Sequence, residues 1–211
     1  MPNTSRIKGF TVVGNLAGGS ATGQARLYYV SSAADEILVG DLVKLGGSSS
    51  NGIPTADLCG ASDVPCGVVV AVINSKLDQD GKMSTGSLTL DVPAVTQIAA
   101  SGAGYILVND DPNVVMEVEA ANGTPVDADV GLNVSHANGA RTAATITSPA
   151  YADFATEATT ATLNLQVLGL ARRSDNEMGA SAKLLVRFNR HQFRSSNDTN
   201  TAAGMSGGTG V

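Results

Sequence analysis

The sequence predicts an all-β fold, an antiparallel β-sandwich or a partly open β-barrel. About nine short runs of β-branched and aromatic residues stand along the chain, several with period-two alternation. Clusters of Gly, Asn, Asp, Ser and Pro separate them at turn-like intervals. No stretch keeps an apolar period of 3.6 residues long enough for a long helix. At 211 residues the chain has the length of one domain with extended arms. The expected division is an N-terminal arm over 1–24, a β-rich domain over 25–194 and a Gly/Ser/Thr-rich tail over 195–211, without internal repeat.

The arm reads as extended because Gly14, Gly18, Gly19 and Gly23 break its apolar stretches. Residues 24–30 carry the β-formers Leu27, Tyr28, Tyr29 and Val30. The run from Ile37 to Val39 leads through Gly40 into the strand Leu42–Leu45, and residues 46–52 read as an exposed loop. The β-branched run Cys66–Ile73 has the pattern of a strand buried on both faces. Ser87–Val92, Gly104–Val108 and Val114–Glu119 follow as strands, with turns at Asn109–Pro112 and Asn122–Gly123. Asp129–Val134 is short and β-like. Residues 135–160 are rich in Ala, Thr and Ser, which predicts a surface excursion with a helical turn near Tyr151–Phe154. Thr162–Leu168 and Lys183–Phe188 complete the set, and the tail reads as flexible.

Only 15% of the residues are charged, against roughly 25% in an ordinary soluble domain. Small residues replace them, which suits thin sheets and surfaces covered by neighbours. The net charge of −6 argues against a general nucleic-acid binder. The charge is also split. Residues 1–34 hold Arg6, Lys8 and Arg26 and no acid, and residues 35–157 hold sixteen acids against four bases. Residues 171–211 hold Arg172, Arg173, Lys183, Arg187, Arg190 and Arg194 against three acids. Basic ends around an acidic middle suit contact with an acidic partner surface or with the middle of a sister subunit; ordinary solvated charge is the plainer alternative. The start has no apolar leader, and no run approaches the roughly 18–20 residues of a membrane span. The expectation is a protein made and kept in a cytoplasm, with no membrane partner.

Little in the chain points to chemistry. His136 and His191 have no Cys, acid or second His at ligand spacing, and no Gly-x-Ser-x-Gly elbow accompanies them. Cys59 and Cys66 lack further ligands for zinc, and read as free thiols rather than a disulfide across the turn between them. The glycine-rich stretch 14–23 lacks the Gly-Lys-Ser/Thr of a phosphate loop. Asp78 and Asp80 lack the closing Glu of a calcium loop. With no Trp and only eight other aromatics, a platform for a sugar is poorly supplied. The chain is therefore expected to be no enzyme and to use neither cofactor nor metal. Its candidate functional residues are protein-contact residues in the two ends: Arg6, Lys8, Phe10, Arg26, Arg172, Arg173, Arg187, Arg190 and Arg194.

Several segments resemble, as a set, structural proteins of tailed-bacteriophage virions, most nearly the capsid decoration (cement) proteins. They are Arg6-Ile-Lys-Gly-Phe10, Gly23-Gln-Ala-Arg-Leu-Tyr-Tyr-Val30, Val39-Gly-Asp-Leu-Val-Lys-Leu45 and Pro65-Cys-Gly-Val-Val-Val70. Tyr105–Pro112 with the strand to Glu119, and Leu168–Gly179 before the last strand, belong with them. The resemblance spans residues 6–194; the length after residue 134 and the glycine-rich tail depart from the shortest such proteins. It implies a place on the outer capsid surface, with major capsid protein as partner, a dimer or trimer of the chain itself, and no nucleic acid. Other virion roles are a head–tail connector, a tail component or a major capsid protein, though the last needs a long spine helix. A small hydrolase is the reading from a different class.

Overall fold

A computed structural model describes residues 3–18, 24–31, 36–73, 97–98, 103–141 and 147–194. The predicted strand 87–92, the acidic pair Asp78 and Asp80, and the tail 195–211 lie outside these residues. The fold is all-β, as predicted. Its strands are β1 (Thr11–Asn15), β2 (Arg26–Val30), β3 (Ile37–Leu38), β4 (Leu42–Ser50), β5 (Ile53–Leu58), β6 (Gly67–Ile73) and β7 (Gln97–Ile98). They continue as β8 (Gly104–Asn109), β9 (Val114–Ala121), β10 (Asn133–Asn138), β11 (Ala150–Ala158), β12 (Leu165–Leu170) and β13 (Lys183–Phe188). A 3-10 turn, Asp127–Asp129, precedes β10.

The strands close into two barrels. The first runs β2-β5-β4-β6-β8 and back to β2. The second runs β9-β11-β10-β12-β13 and closes because β13 also pairs with β9. β1 lies outside this ring, antiparallel to the first half of β9, on the edge turned away from β13. The small β3–β7 pair stands beside the first barrel.

The two barrels share one topology, which corrects the expectation of a chain without internal repeat. Taken in chain order, the strands of each close as first, third, second, fourth, fifth. In each only the first–third pairing is parallel. The registers agree as well. A left-handed glycine leads into the second strand in both, Gly40 at φ +92° and Gly131 at φ +97°. Gly40 N–H donates to Val69 O at 2.8 Å, and Gly131 N–H to Val167 O at 2.9 Å. The return bonds, Val69 N–H to Asp41 O and Val167 N–H to Leu132 O, are both 2.9 Å. Leu42 then faces Val68 as Asn133 faces Gln166. The fourth strand bulges at the same place, between Val69 and Ala71 and between Val167 and Gly169.

Two further expectations change. Residues 46–52 are a hairpin rather than a loop: β4 continues to Ser50 and turns through Asn51 (φ 51°) and Gly52 (φ 76°) into β5. Two successive positive φ values suit the twist of paired strands, and Asn-Gly supplies them at low cost. The described residues among 135–160 are no surface excursion, and Tyr151–Phe154 are strand instead of a helical turn, because β10 and β11 are walls of the second barrel. Ala150, Ala152 and Phe154 alternate inward from β11 and are buried. Alanines fit where strands converge on a narrow interior, so their low hydrophobicity hides a strand.

Each barrel has its own core. Tyr28, Val30, Val43, Val69, Ile106 and Val108 fill the first. Met116, Val118, Val134, Leu165, Leu184, Val186 and Phe188 fill the second. Phe10, Leu42, Cys59 and Val68 come from the arm and the first barrel but pack with the second core. Period-two alternation explains this: Val43 and Val69 point into their own barrel, while Leu42 and Val68 point across the joint. β6 is thus buried on both faces at its start, as its β-branched run predicts, and emerges at Val70, which is 36% exposed.

Candidate interaction surface

The arm and the 171–183 segment lie against each other. Asn3 Nδ2 donates to the carbonyls of Glu177 (2.8 Å) and Ala180 (2.9 Å), and its Oδ1 accepts from Glu177 N–H at 3.0 Å. Both segments cover the outer face of β9, where Glu117 and Glu119 alternate with core residues and are nearly buried. A cleft of about 360 Å³ opens between them, lined by Arg6, Lys8, Arg173 and Lys183 among others. The two basic ends of the chain therefore meet in one place.

The acidic floor explains why they meet. Glu119 accepts from Ser5 Oγ and the Arg6 N–H at 2.7 Å each, and from Lys183 Nζ at 2.8 Å. Burial pushes this carboxyl upward, but those three bonds outweigh it and hold the group below the usual carboxylate range. Glu117 pairs with Arg173, and Lys8 Nζ lies 3.9 Å from its Oε1. The acidic middle that the charge pattern calls for is thus β9 of the same chain. Arg6 and Arg172 are exposed, and their guanidinium groups have no bond or ion-pair partner among the described residues. Sequence reasoning missed Asn3, which fixes the arm, and left Lys183 out of the contact set; only its place at the start of a strand could have flagged it.

Phe10 is corrected as a contact residue: it is 3% exposed and belongs to the joint between the barrels. The other basic candidates stand elsewhere. Arg187 donates through Nε to Gln166 Oε1 at 2.7 Å on the second barrel wall. Arg190 and Arg194 donate to the carbonyls of Thr162 (3.0 Å) and Asn189 (3.1 Å). Arg26 pairs with Asp110 at 3.1 Å and stands 5.8 Å over the Phe193 ring. These four groups hold local structure, and only Arg6, Lys8 and Arg173 of the predicted set share the cleft.

The two histidines hold the barrels together. His136 is fully buried; its Nε2–H donates to Cys59 O at 2.9 Å, and its Nδ1 accepts from Asn164 Nδ2 at 3.1 Å. Burial lowers its pKa, so the ring stays neutral. Asn138 Nδ2 also donates to Cys59 O, at 2.7 Å. His191 is stacked between Phe188 and Phe193 and accepts the Phe193 N–H at 3.2 Å. Cys59 and Cys66 are free and buried, and burial pushes both thiols well above their ordinary range, which leaves them unreactive. No helix is long and apolar enough to cross a membrane among the described residues. Neither family models, nor curated proteins, nor solved structures match this chain.

Proposed function

We propose that this chain is a non-catalytic virion protein that decorates and cements the outer surface of a tailed-bacteriophage capsid. It would bind across junctions between major capsid subunits and act as a dimer or trimer. The family-like segments support this reading. The observation that carries it is the cleft in which both basic ends converge, with Arg6 in its lining and Arg172 exposed next in sequence to its Arg173, both free to meet carboxylates of a partner. A protein that binds only the mature lattice adds its binding energy to that lattice, and repetition multiplies modest contacts.

The test is decoration of expanded capsids by the double variant Arg6→Glu, Arg172→Glu. Neither guanidinium has an internal partner among the described residues, so the fold should survive. Co-sedimentation with capsids is expected to fall at least about tenfold, the effect of losing about 1.4 kcal/mol. Normal decoration would rule out this contact site. Undecorated particles as resistant to heat and chelation as complete ones would rule out cementing.

A further inference from the structure

The two barrels frame a second cleft between them. It has a volume of about 780 Å³ and shares no lining residue with the cleft of the basic ends. The first barrel lines it with Lys44 of β4 and with residues 61–64 between β5 and β6. The second lines it with Ser135 of β10, residues 162–163 between β11 and β12, and Arg190 and Gln192 after β13. The segment after β13 is strapped back onto the first barrel: Gln192 N–H donates to Pro65 O at 3.0 Å, and Leu45 N–H donates to Gln192 Oε1 at 2.8 Å.

Three donors in this lining are held in position by other bonds and are themselves unused among the described residues. The Leu45 bond fixes Oε1 as the accepting end of the Gln192 amide, so the donor Nε2 is the end left over. Arg190 Nη1 donates to Thr162 O at 3.0 Å, which leaves the Nε and Nη2 edge of the guanidinium without a partner. Ser135 is 8% exposed and gives its N–H to Thr156 Oγ1 at 2.9 Å, while its own Oγ has no partner. Lys44 and Asp63 neutralise each other, with Nζ and Oδ2 2.8 Å apart, and Arg190 is the remaining charged residue of the lining. One positive charge therefore stands uncompensated among neutral donors. We propose that the inter-barrel cleft receives an acidic segment of a partner protein. One Asp or Glu carboxylate lies on the free edge of Arg190, and neighbouring peptide carbonyls accept from Gln192 Nε2 and the Ser135 hydroxyl. The guanidinium fork matches a carboxylate in shape as well as charge, and donors already held lose little freedom on binding. A phosphate dianion would call for a second uncompensated base, and no aromatic ring lines the cleft to carry a sugar. The site stands whether or not the cleft of the basic ends meets a capsid.

The experiment titrates the isotope-labelled full chain with the end-blocked peptide Gly-Ala-Glu-Ala-Gly and follows amide NMR signals. Saturable shifts are expected at the Gln192 side-chain amide, the Arg190 Nε–H and the backbone amides of residues 61–64. The same peptide with Gln in place of Glu should bind at least about tenfold more weakly, a comparison that needs no variant of the protein. Gln192→Glu keeps the acceptor for Leu45 N–H but exchanges the free donor for a carboxylate oxygen, and it should weaken binding at least about tenfold. Ser135→Ala removes one hydroxyl and should weaken it about threefold. Arg187→Gln removes a positive charge of the second barrel outside the cleft and should leave binding unchanged. The same spectra confirm the fold of each variant. Absence of saturable shifts up to about 10 mM peptide overturns the proposal. So does equal binding of the two peptides, undiminished binding by Gln192→Glu, or an equal loss in Arg187→Gln, which would mean general attraction between charges. Acetate that saturates the same signals as tightly as the peptide would show a site for small anions only, and would overturn the assignment to a protein segment.

Discussion

His191 shows how a residue suited to chemistry can be committed to packing. It is 1% exposed, with ring centroids 5.0 Å from Phe188 and 5.7 Å from Phe193. Burial holds its pKa down at about 4, against 6.5 in an exposed imidazole. The folded state therefore binds fewer protons than the unfolded chain between those values. Its stabilising contribution is complete above pH 6.5 and is lost as pH falls toward 4. That difference corresponds to about 3 kcal/mol. His191→Phe keeps the stack and removes the proton site. Urea midpoints measured from pH 7 to 4 should fall less steeply in this variant than in wild type. Equal slopes would show that His191 does not carry the acid sensitivity. None of this is legible from the neighbours Asn189, Arg190 and Gln192, because the stack depends on a turn that folds the ring back onto the strand end.

At the scale of elements, β13 is legible to its boundaries because Lys183–Phe188 alternates cleanly between core and surface. β5 and β11 are not. Pro54 obscures the first, and alanines at buried positions obscure the second. The arm is a mixed case: its extended form follows from its glycines, but its docking as β1 does not, since the partner strand is about a hundred residues away. The cleft is legible in part, because the charge split announces a contact between basic ends and an acidic surface without saying that β9 of the same chain provides it. Phe10 is what anchors the arm. Phe10→Ala should cost about 3–5 kcal/mol, as expected for a buried aromatic. The loss should be local first, so amides of Thr11–Asn15 should exchange with solvent faster than those of β13. A cost below about 0.5 kcal/mol, the level of a surface change, would show that β1 is held by its ladder alone.

At the scale of the molecule, the duplicated barrel is nearly invisible in sequence. Equivalent positions agree at Val39-Gly40 and Val130-Gly131, at Ala56-Asp57 and Ala152-Asp153, and at Leu107-Val108 and Leu185-Val186, with little between. Backbone geometry holds the repeat where side chains have diverged, and one divergence joins the halves. Leu132 in the second barrel corresponds to Asp41 in the first. Asp41 is fully buried and accepts two bonds from Arg141, at 2.7 and 2.9 Å, one from Ser148 Oγ at 2.5 Å and one from Leu38 N–H at 2.7 Å. Arg141 and Ser148 come from the segment between β10 and β11, so the second barrel clasps the first through a charge that its own counterpart lacks. Both guanidinium NH groups of Arg141 are bonded in place, its Nε alone having no partner among the described residues, and removing one member of the pair leaves the other charged in a dry joint. Arg141→Met should therefore destabilise by about 3–5 kcal/mol, while adding Asp41→Leu should recover much of that loss. Calorimetry separates the consequences. Wild type should unfold in one transition, since each barrel contributes side chains to the joint, and Arg141→Met should split it into two. A single transition in Arg141→Met with an unchanged midpoint would mean that the apolar contacts of Phe10, Leu42 and Val68 alone couple the barrels.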